Sequence, residues 1–222
     1  MFKISFALLG LAITIFAGAV FSPQQAQRRL TEKVSEPPRS TNKKDVFLKL
    51  ADSVGQTDPA KRLTAYANNK GPNTHQRYWA IVDFNQPSTN KRFYVFDTKE
   101  GKVESFYVSH GRGSEGANDD GMAEVYSNED GSNSSSLGIY QALDEYTGAH
   151  GRSMRLQGLE PTNSNALSRA IVLHRADYVS DNFIKQTGRI GRSEGCFAVE
   201  PTVADALIDK LRNGTYIIAW KK

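Results

Sequence analysis

The chain has 222 residues, of which 39% are hydrophobic and 23% are charged. This length suits one domain with a sizeable core, and the composition excludes a disordered or multi-span membrane protein. The single cysteine, Cys196, excludes an internal disulfide framework and any cysteine-based zinc or iron–sulfur cluster. Residues 22–44 carry six Lys or Arg against two Glu, whereas residues 45–222 carry 21 basic against 22 acidic residues. The net charge of +4 therefore belongs to a tail, and we expect no nucleic-acid partner.

The N-terminal residues have the pattern of an export signal. Lys3 precedes an uncharged apolar run over residues 4–21, and Ala17-Gly18-Ala19 resembles a cleavage site. The run has 18 residues, so an uncleaved membrane anchor is the alternative. In both cases we expect the rest of the chain to be exported, to the periplasm or the cell envelope.

Three segments follow from these patterns. Residues 1–21 are predicted to be a signal peptide or membrane anchor. Residues 22–44 are polar, contain Pro37-Pro38 and lack hydrophobic periodicity, which is typical of a flexible basic linker. Residues 45–222 carry the periodic patterns of a folded domain.

The folded domain begins with two predicted helices. The apolar residues of 46–54 share one helical face, and Gly55 follows as a stop signal. Asp58-Pro59 is typical of the cap and first turn of a second helix.

The remaining elements are mostly strands. Five segments have the aromatic, β-branched or apolar composition of strands: 77–85, 91–97, 103–109, 170–173 and 215–220. The Gly-, Ser- and Asn-rich residues 111–136 form a long loop, which favours ligand binding, and 203–211 have the pattern of an amphipathic helix. Because strands outnumber helices and the helices lie at the two ends, we predict a mainly β fold with peripheral helices.

The single thiol lies in a segment of unusual composition. Cys196 follows Gly195 and a turn that contains Arg189 and Arg192. Positive charge nearby lowers the pKa of a thiol, and a glycine lets backbone N–H groups turn towards a ligand. These features favour a nucleophilic Cys196, and an inert buried thiol is the alternative.

A cysteine nucleophile needs a base, and the chain has four histidines. His174 ends the apolar strand, and a loop from a strand end can return Cys196 to hydrogen-bonding distance. His110 and His150 could share a metal, but no ligand partner stands at a metal-site spacing. We therefore expect no metal and no cofactor, and we place His75 on the surface.

An ordered series of motifs resembles a known family. Ser193-Glu194-Gly195-Cys196, preceded by the strand-end His174, resembles the cysteine signature of the YkuD-type L,D-transpeptidases. The further matching segments are 110–113, 126–128, 135–140, 146–151, 156–159, 169–174 and 188–193. Together they resemble the branch described as the murein L,D-transpeptidase catalytic domain family.

The resemblance implies a β-sandwich-like catalytic fold over residues 45–222 and a peptidoglycan substrate. Such enzymes attack the carbonyl between meso-diaminopimelate and the terminal D-alanine of a tetrapeptide stem, which releases D-alanine and forms a cysteine thioester. An amine of a second stem then forms a 3–3 cross-link, whereas water gives L,D-carboxypeptidase activity. Family members are also acylated by carbapenems. A cysteine hydrolase of another amide and a non-catalytic cell-wall binding module are the alternatives.

Carried onto this sequence, the resemblance makes Cys196 the nucleophile and His174 the base. The backbone N–H groups of Glu194, Gly195 and Cys196 would form the oxyanion site. Ser193 would support the turn by bonding its backbone.

The sequence departs from the better-known branch near the nucleophile. Arg175 replaces a glycine after the histidine, Glu194 replaces a common histidine, and Ala198 replaces an arginine thought to hold the substrate. Arg189 and Arg192 are the predicted substitutes for that arginine, because a planar guanidinium suits a carboxylate. Solvated loop charges are the alternative.

Three more residues are predicted to contact the substrate. His110 and Gly111 would line the substrate in a glycine-containing loop, with a structural histidine as the alternative. Tyr140, in a matching motif, is also assigned to substrate binding. Residues 132–136 are predicted to form a flexible lid or a solvated turn.

Overall fold

The computed structural model describes residues 42–70 and 77–222. The predicted export segment 1–21, most of the predicted linker and His75 lie outside these ranges. Within them, none of the helices combines the length and apolar character needed to cross a membrane.

Two helices open the domain, α1 (Lys43–Ser53) and α2 (Thr57–Asn69). The side chain of Asn42 caps α1 by accepting a hydrogen bond from the Lys44 N–H at 3.2 Å. Helix α1 therefore includes the last two residues of the predicted linker.

Two more helices, α3 (Asp181–Thr187) and α4 (Pro201–Leu211), follow later in the chain. The eight strands are β1 (Tyr78–Asp83), β2 (Phe93–Asp97), β3 (Lys102–Phe106), β4 (Gly138–Gly148), β5 (Gly151–Gly158), β6 (Val172–Arg175), β7 (Phe197–Val199) and β8 (Tyr216–Trp220). The prediction of a mainly β fold with peripheral helices is confirmed. The hairpin of β4 and β5 is absent from the predicted strands, because polar residues interrupt its apolar pattern.

The strands form one sheet in the order β3-β2-β1-β8-β4-β5-β6-β7. Strand β8 lies inside it, parallel to β1 and antiparallel to β4. Strands β6 and β7 are also parallel, and the other neighbours are antiparallel.

The sheet folds back so that its two ends meet. Ser109, just after β3, donates its backbone N–H to the carbonyl of Ala198 in β7 at 2.9 Å. The Ala198 N–H in turn donates to the Ser109 Oγ at 3.3 Å. Because β3 and β7 are the two edges of the sheet, these bonds close it into a sandwich-like structure.

Each face of the sheet has its own apolar core. The inner core joins strand residues from both halves of the sheet to helix α4, for example Val95, Phe197 and Leu207. The outer core lies under α1 and α2, where the Phe47 ring stacks on Trp79 with centroids 4.7 Å apart.

Phe47→Ala should destabilise the domain by about 3–5 kcal/mol, because it removes a buried ring and leaves a cavity beside Trp79. Urea unfolding followed by far-UV circular dichroism measures the change. Lys49→Ala, at an exposed position of the same helix, is the matched control and should stay within about 0.5 kcal/mol of the wild type. Equal midpoints for Phe47→Ala and the control would show that α1 contributes little to the fold.

Candidate active site

Strand pairing brings the two predicted catalytic residues together. Leu173 of β6 pairs with Phe197 of β7, and His174 pairs with Ala198. Cys196 directly precedes Phe197, so its side chain and that of His174 lie on the same face of the sheet. Both residues line one cleft with a volume of about 520 Å³. The other polar and aromatic residues around this cleft are Arg112, Tyr146, His150, Arg169, Tyr178, Arg192, Ser193 and Glu194.

The imidazole of His174 is oriented by its own strand. Its Nδ1 lies 2.8 Å from the Arg175 carbonyl oxygen, which can only accept, so we assign the ring proton to Nδ1. Nε2 then keeps its lone pair and is free to act as a base. The ring of His150 stacks on His174, with centroids 4.3 Å apart. Burial lowers the pKa of His174 below its usual 6.5, and His150 adds to that effect, so the ring is neutral at neutral pH.

The thiol of Cys196 is protonated in this state. Burial raises the pKa of Cys196 above its usual 9.0, although the Val172 backbone and the charge of Arg169 act in the opposite direction. Its Sγ lies 3.5 Å from the carbonyl oxygen of Ala170, a residue with a positive φ of 54°. The prediction that nearby arginines lower the thiol pKa overall is therefore wrong, because burial outweighs them.

The turn before Cys196 depends on Gly195 and Ser193. Gly195 has a φ of 114°, and a Cβ there would lie only 2.7 Å from the Ser134 carbonyl oxygen. Ser193 Oγ donates to the Cys196 carbonyl at 2.7 Å and accepts from the Gly195 N–H at 3.2 Å. Ser193 thus spans the turn through its hydroxyl, as the sequence predicts.

The loop at Gly111 supports this turn through the backbone. A Cβ at Gly111 would lie 2.1 Å from the Asn133 carbonyl oxygen and 2.8 Å from the Gly195 nitrogen. The Gly111 N–H donates to Ser135 Oγ at 3.0 Å. Ser134, Ser135 and Ser136 are buried, so the prediction of a lid or solvated turn over 132–136 is wrong for these three residues, whereas Ser132 and Asn133 are half-buried.

His110 and Tyr140, two residues predicted to contact the substrate, are buried, with exposures of 1% and 0%. Both side chains are therefore too buried to contact a ligand. His110 lies between Arg92, 2.8 Å from its Nδ1, and Glu115, 2.7 Å from its Nε2. Burial, together with the charge of Arg92, lowers the pKa of His110 to about 3. The hydroxyl of Tyr140 donates to the Ser136 carbonyl, and its ring packs on Phe197 of β7.

The predicted carboxylate-binding arginines both pair with Asp119, and Arg192 also lies 3.8 Å from Glu115. Asp119 accepts from Arg189 at 2.8 Å and from Arg192 at 3.0 Å. Arg189 borders a neighbouring pocket, whereas Arg192 borders both pockets. Glu194, on the nucleophile turn, pairs with Arg112 at 3.1 Å on the surface.

His150 and Arg169 are among the cleft residues that have no catalytic or substrate-binding role in the sequence-based assignment. His150 stacks on His174, and Arg169 lies beside the nucleophile turn. Both stand within matching motifs, which is the signal that could have identified them. Within the two described ranges, no cluster of three or more His, Cys, Asp or Glu residues is arranged to hold a metal ion.

The structure is thus a mainly β domain with a cysteine and a histidine on neighbouring strands of one cleft. Residues 51–220 match the YkuD-type family described as the L,D-transpeptidase catalytic domain, and the chain belongs to that family. No curated protein matches the chain significantly.

Solved structures of L,D-transpeptidases are also similar to this chain. The L,D-transpeptidase from Mycobacterium smegmatis is 14% identical with a TM-score of 0.40, and the alignment covers 65% of this chain and 59% of that one. L,D-transpeptidase 3 from Mycobacterium tuberculosis is 12% identical with a TM-score of 0.43, and the alignment covers 65% of this chain and 61% of that one. A second structure of that protein, with a faropenem-derived adduct, gives 13% identity, a TM-score of 0.43 and coverage of 65% and 60%.

The raised pKa of Cys196 predicts slow alkylation at neutral pH. Iodoacetamide should label this single thiol with a rate that rises with pH and has its inflection above pH 9, because about 1% or less is thiolate at pH 7. Mass spectrometry of timed samples gives the rate. Glu194→Gln removes a charge that raises the thiol pKa, so its inflection should lie at lower pH. A wild-type rate that is already maximal at pH 7 would contradict the protonated resting thiol.

His110 should make stability depend on pH. Its pKa of about 3 in the folded chain lies below the usual 6.5, so the unfolded chain binds the proton first. The contribution of His110 to the free energy of unfolding is complete above pH 6.5. It decreases by about 1.4 kcal/mol per pH unit as the pH falls towards 3. Urea unfolding of wild type and His110→Gln at pH 7, 6, 5 and 4 tests this. All other titratable groups are the same in the two proteins, so a difference between their curves of unfolding free energy against pH reports on His110. The variant should lose less stability than wild type over this range, and parallel curves would contradict the assignment.

Proposed function

We propose that the protein is an exported, cysteine-dependent L,D-transpeptidase that acts on peptidoglycan tetrapeptide stems and forms 3–3 cross-links. The observation that carries this proposal is the shared cleft of Cys196 and His174, with the imidazole already oriented by the Arg175 carbonyl. Membership of the L,D-transpeptidase catalytic domain family supports the reaction class. The apolar residues 4–21 support delivery of the chain to the cell envelope, where this substrate occurs.

In the first half-reaction, Cys196 Sγ attacks the carbonyl carbon between the third stem residue and the terminal D-alanine. His174 Nε2 takes the thiol proton as the S–C bond forms, because a neutral thiol is a poor nucleophile. The C–N bond then breaks, the imidazolium returns the proton to the leaving nitrogen, and D-alanine departs. The remaining acyl group is held as a thioester on Cys196.

The negative oxygen of the tetrahedral intermediate needs hydrogen-bond donors. The backbone N–H groups of Glu194, Gly195 and Cys196 are the proposed donors, and losing one such donor typically costs about 3 kcal/mol of barrier. Gly195 already donates to Ser193 Oγ, so its N–H is partly committed. Ser193 contributes by keeping the turn in shape for the other two.

In the second half-reaction, an amine of another stem attacks the thioester carbonyl. His174 Nε2 takes a proton from that amine and returns it to the sulfur, so that a new amide forms and the thiol is regenerated. Water in place of the amine would give a tripeptide and L,D-carboxypeptidase activity. The same residues serve both outcomes, and the products distinguish them.

Cys196→Ala and His174→Gln should each abolish product formation from a purified disaccharide-tetrapeptide, because one removes the nucleophile and the other its base. Mass spectrometry should show loss of D-alanine together with a cross-linked dimer for the wild-type protein. Arg212→Gln, outside the cleft, is the matched control and should keep wild-type activity. Product formation by Cys196→Ala would rule out the thioester mechanism.

The same experiment separates the alternatives. Tripeptide without dimer would indicate a carboxypeptidase. An unchanged stem beside a carbapenem-labelled Cys196 would indicate a hydrolase of another amide, and the absence of both product and label would indicate a binding module.

A further inference from the structure

Arg169 is held at the cleft by uncharged oxygens. Its Nη1 donates to the Ser127 carbonyl at 2.8 Å, and its Nη2 donates to the Ser134 carbonyl at 2.7 Å and to Ser132 Oγ at 3.3 Å. These contacts use three of the five N–H donors of a guanidinium. They fix the position of the charge without neutralising it.

The other arginines that border the cleft are each paired with a carboxylate. Arg112 pairs with Glu194 at 3.1 Å, and Arg192 pairs with Asp119 at 3.0 Å. Arg169 differs from both, because no carboxylate of residues 42–70 or 77–222 lies within 4.0 Å of it to form an ion pair. A half-buried cation without a counter-ion favours an anionic ligand. The Nε–H and one Nη1–H of Arg169 have no partner in these contacts, so either can donate a charge-assisted hydrogen bond to a carboxylate.

The position of this charge is close to the nucleophile. Arg169 Nη2 lies 3.3 Å from where a Cβ of Gly195 would stand, and Ala170, the next residue, accepts from the Cys196 thiol. The charge also acts to lower the pKa of Cys196. A ligand group bound by Arg169 would therefore lie within about one residue of the bond that Cys196 attacks.

A tetrapeptide stem has two carboxylates at that distance. One is the terminal carboxylate of the leaving D-alanine, and the other is on the side chain of the third residue. We propose that Arg169 is a specificity-determining residue that binds a substrate carboxylate next to the scissile bond. This inference rests on the proposed function, because it takes the stem peptide as the substrate.

Three disaccharide-tetrapeptides test the proposal: the free acid, the terminal carboxamide and the side-chain carboxamide of the third residue. For the wild-type protein, kcat/KM should fall about tenfold to a hundredfold for the amide that blocks the recognised carboxylate. The terminal amide would identify the leaving residue, and the side-chain amide would identify the donor residue. Equal kcat/KM for all three peptides would overturn the proposal.

Arg169→Gln should lose this discrimination, and Arg169→Lys should keep part of it through its charge. Arg169 also anchors the segment 127–134, but a merely structural role would lower kcat/KM by the same factor for all three peptides. Retained wild-type discrimination in Arg169→Gln would therefore overturn the proposal. Arg212→Gln is the matched arginine control, and thermal unfolding of each variant reports on its folding. If Arg169→Gln does not fold, Arg169→Lys decides, because losing the fixed guanidinium donors should reduce the discrimination, and an unchanged discrimination in that variant would overturn the proposal.

Binding measurements keep this inference separate from the proposed function. Calorimetry with Cys196→Ala, which retains Arg169, gives dissociation constants for the three peptides without any reaction. The blocked peptide should bind about tenfold to a hundredfold more weakly, and this difference should disappear when Arg169→Gln is added. If the wild-type protein converts all three peptides equally well, only the role of Arg169 is contradicted. If the peptides bind with different dissociation constants but none is converted, only the proposed reaction is contradicted. Absence of binding by all three peptides would overturn the role of Arg169.

Discussion

Strand β7 is three residues long and is hydrogen-bonded on both sides. Its Ala198 pairs with His174 of β6, and on the other side exchanges bonds with Ser109. This register places the side chains of Cys196 and His174 on the same face of the sheet, because side chains alternate between the two faces of a strand. A slip of one residue would turn Cys196 towards the core and move Phe197 into the cleft. The buried Phe197 ring, packed on Tyr140, opposes that slip.

The electrostatics of the cleft follow from this placement. Burial disfavours the charged forms of both Cys196 and His174, so the resting pair is a thiol and a neutral imidazole. A thiol reacts more slowly with oxidants and stray electrophiles than a thiolate does. In the proposed reaction, the pair would therefore combine a base with a nucleophile that stays protonated until a carbonyl is bound. The charge of Arg169 acts to lower the pKa of Cys196, and His150 acts to lower the pKa of His174.

Local patterns could predict the fold class, because strand-like segments outnumber helical ones. They only favour Cys196 and His174 as a reactive pair, and the roles of both residues come from the resemblance to the family. The β4–β5 hairpin could not be predicted from alternation, since its polar side chains pair across the strands, as Arg152 does with Glu145. The thiol pKa depends on burial, which only the folded chain defines. The partners of the arginines also could not be predicted from the sequence. Asp119, which pairs with Arg189, lies 70 positions away in the chain, and the partners of Arg169 are backbone carbonyl groups, which every residue has.

The Gly- and Ser-rich loop 111–136 owes its composition to backbone contact. A Cβ at Gly111 would collide with the Asn133 carbonyl and the Gly195 nitrogen, and a Cβ at Gly195 would collide with the Ser134 carbonyl. The serine hydroxyls bond backbone groups that would otherwise be buried without partners. The turn before Cys196 therefore packs against the Ser134 carbonyl, which the Arg169 guanidinium holds by a hydrogen bond of 2.7 Å. Contacts between backbone atoms do not depend on side-chain rotamers, so they hold the turn before Cys196 in place. The charge of Arg169 remains available to a ligand.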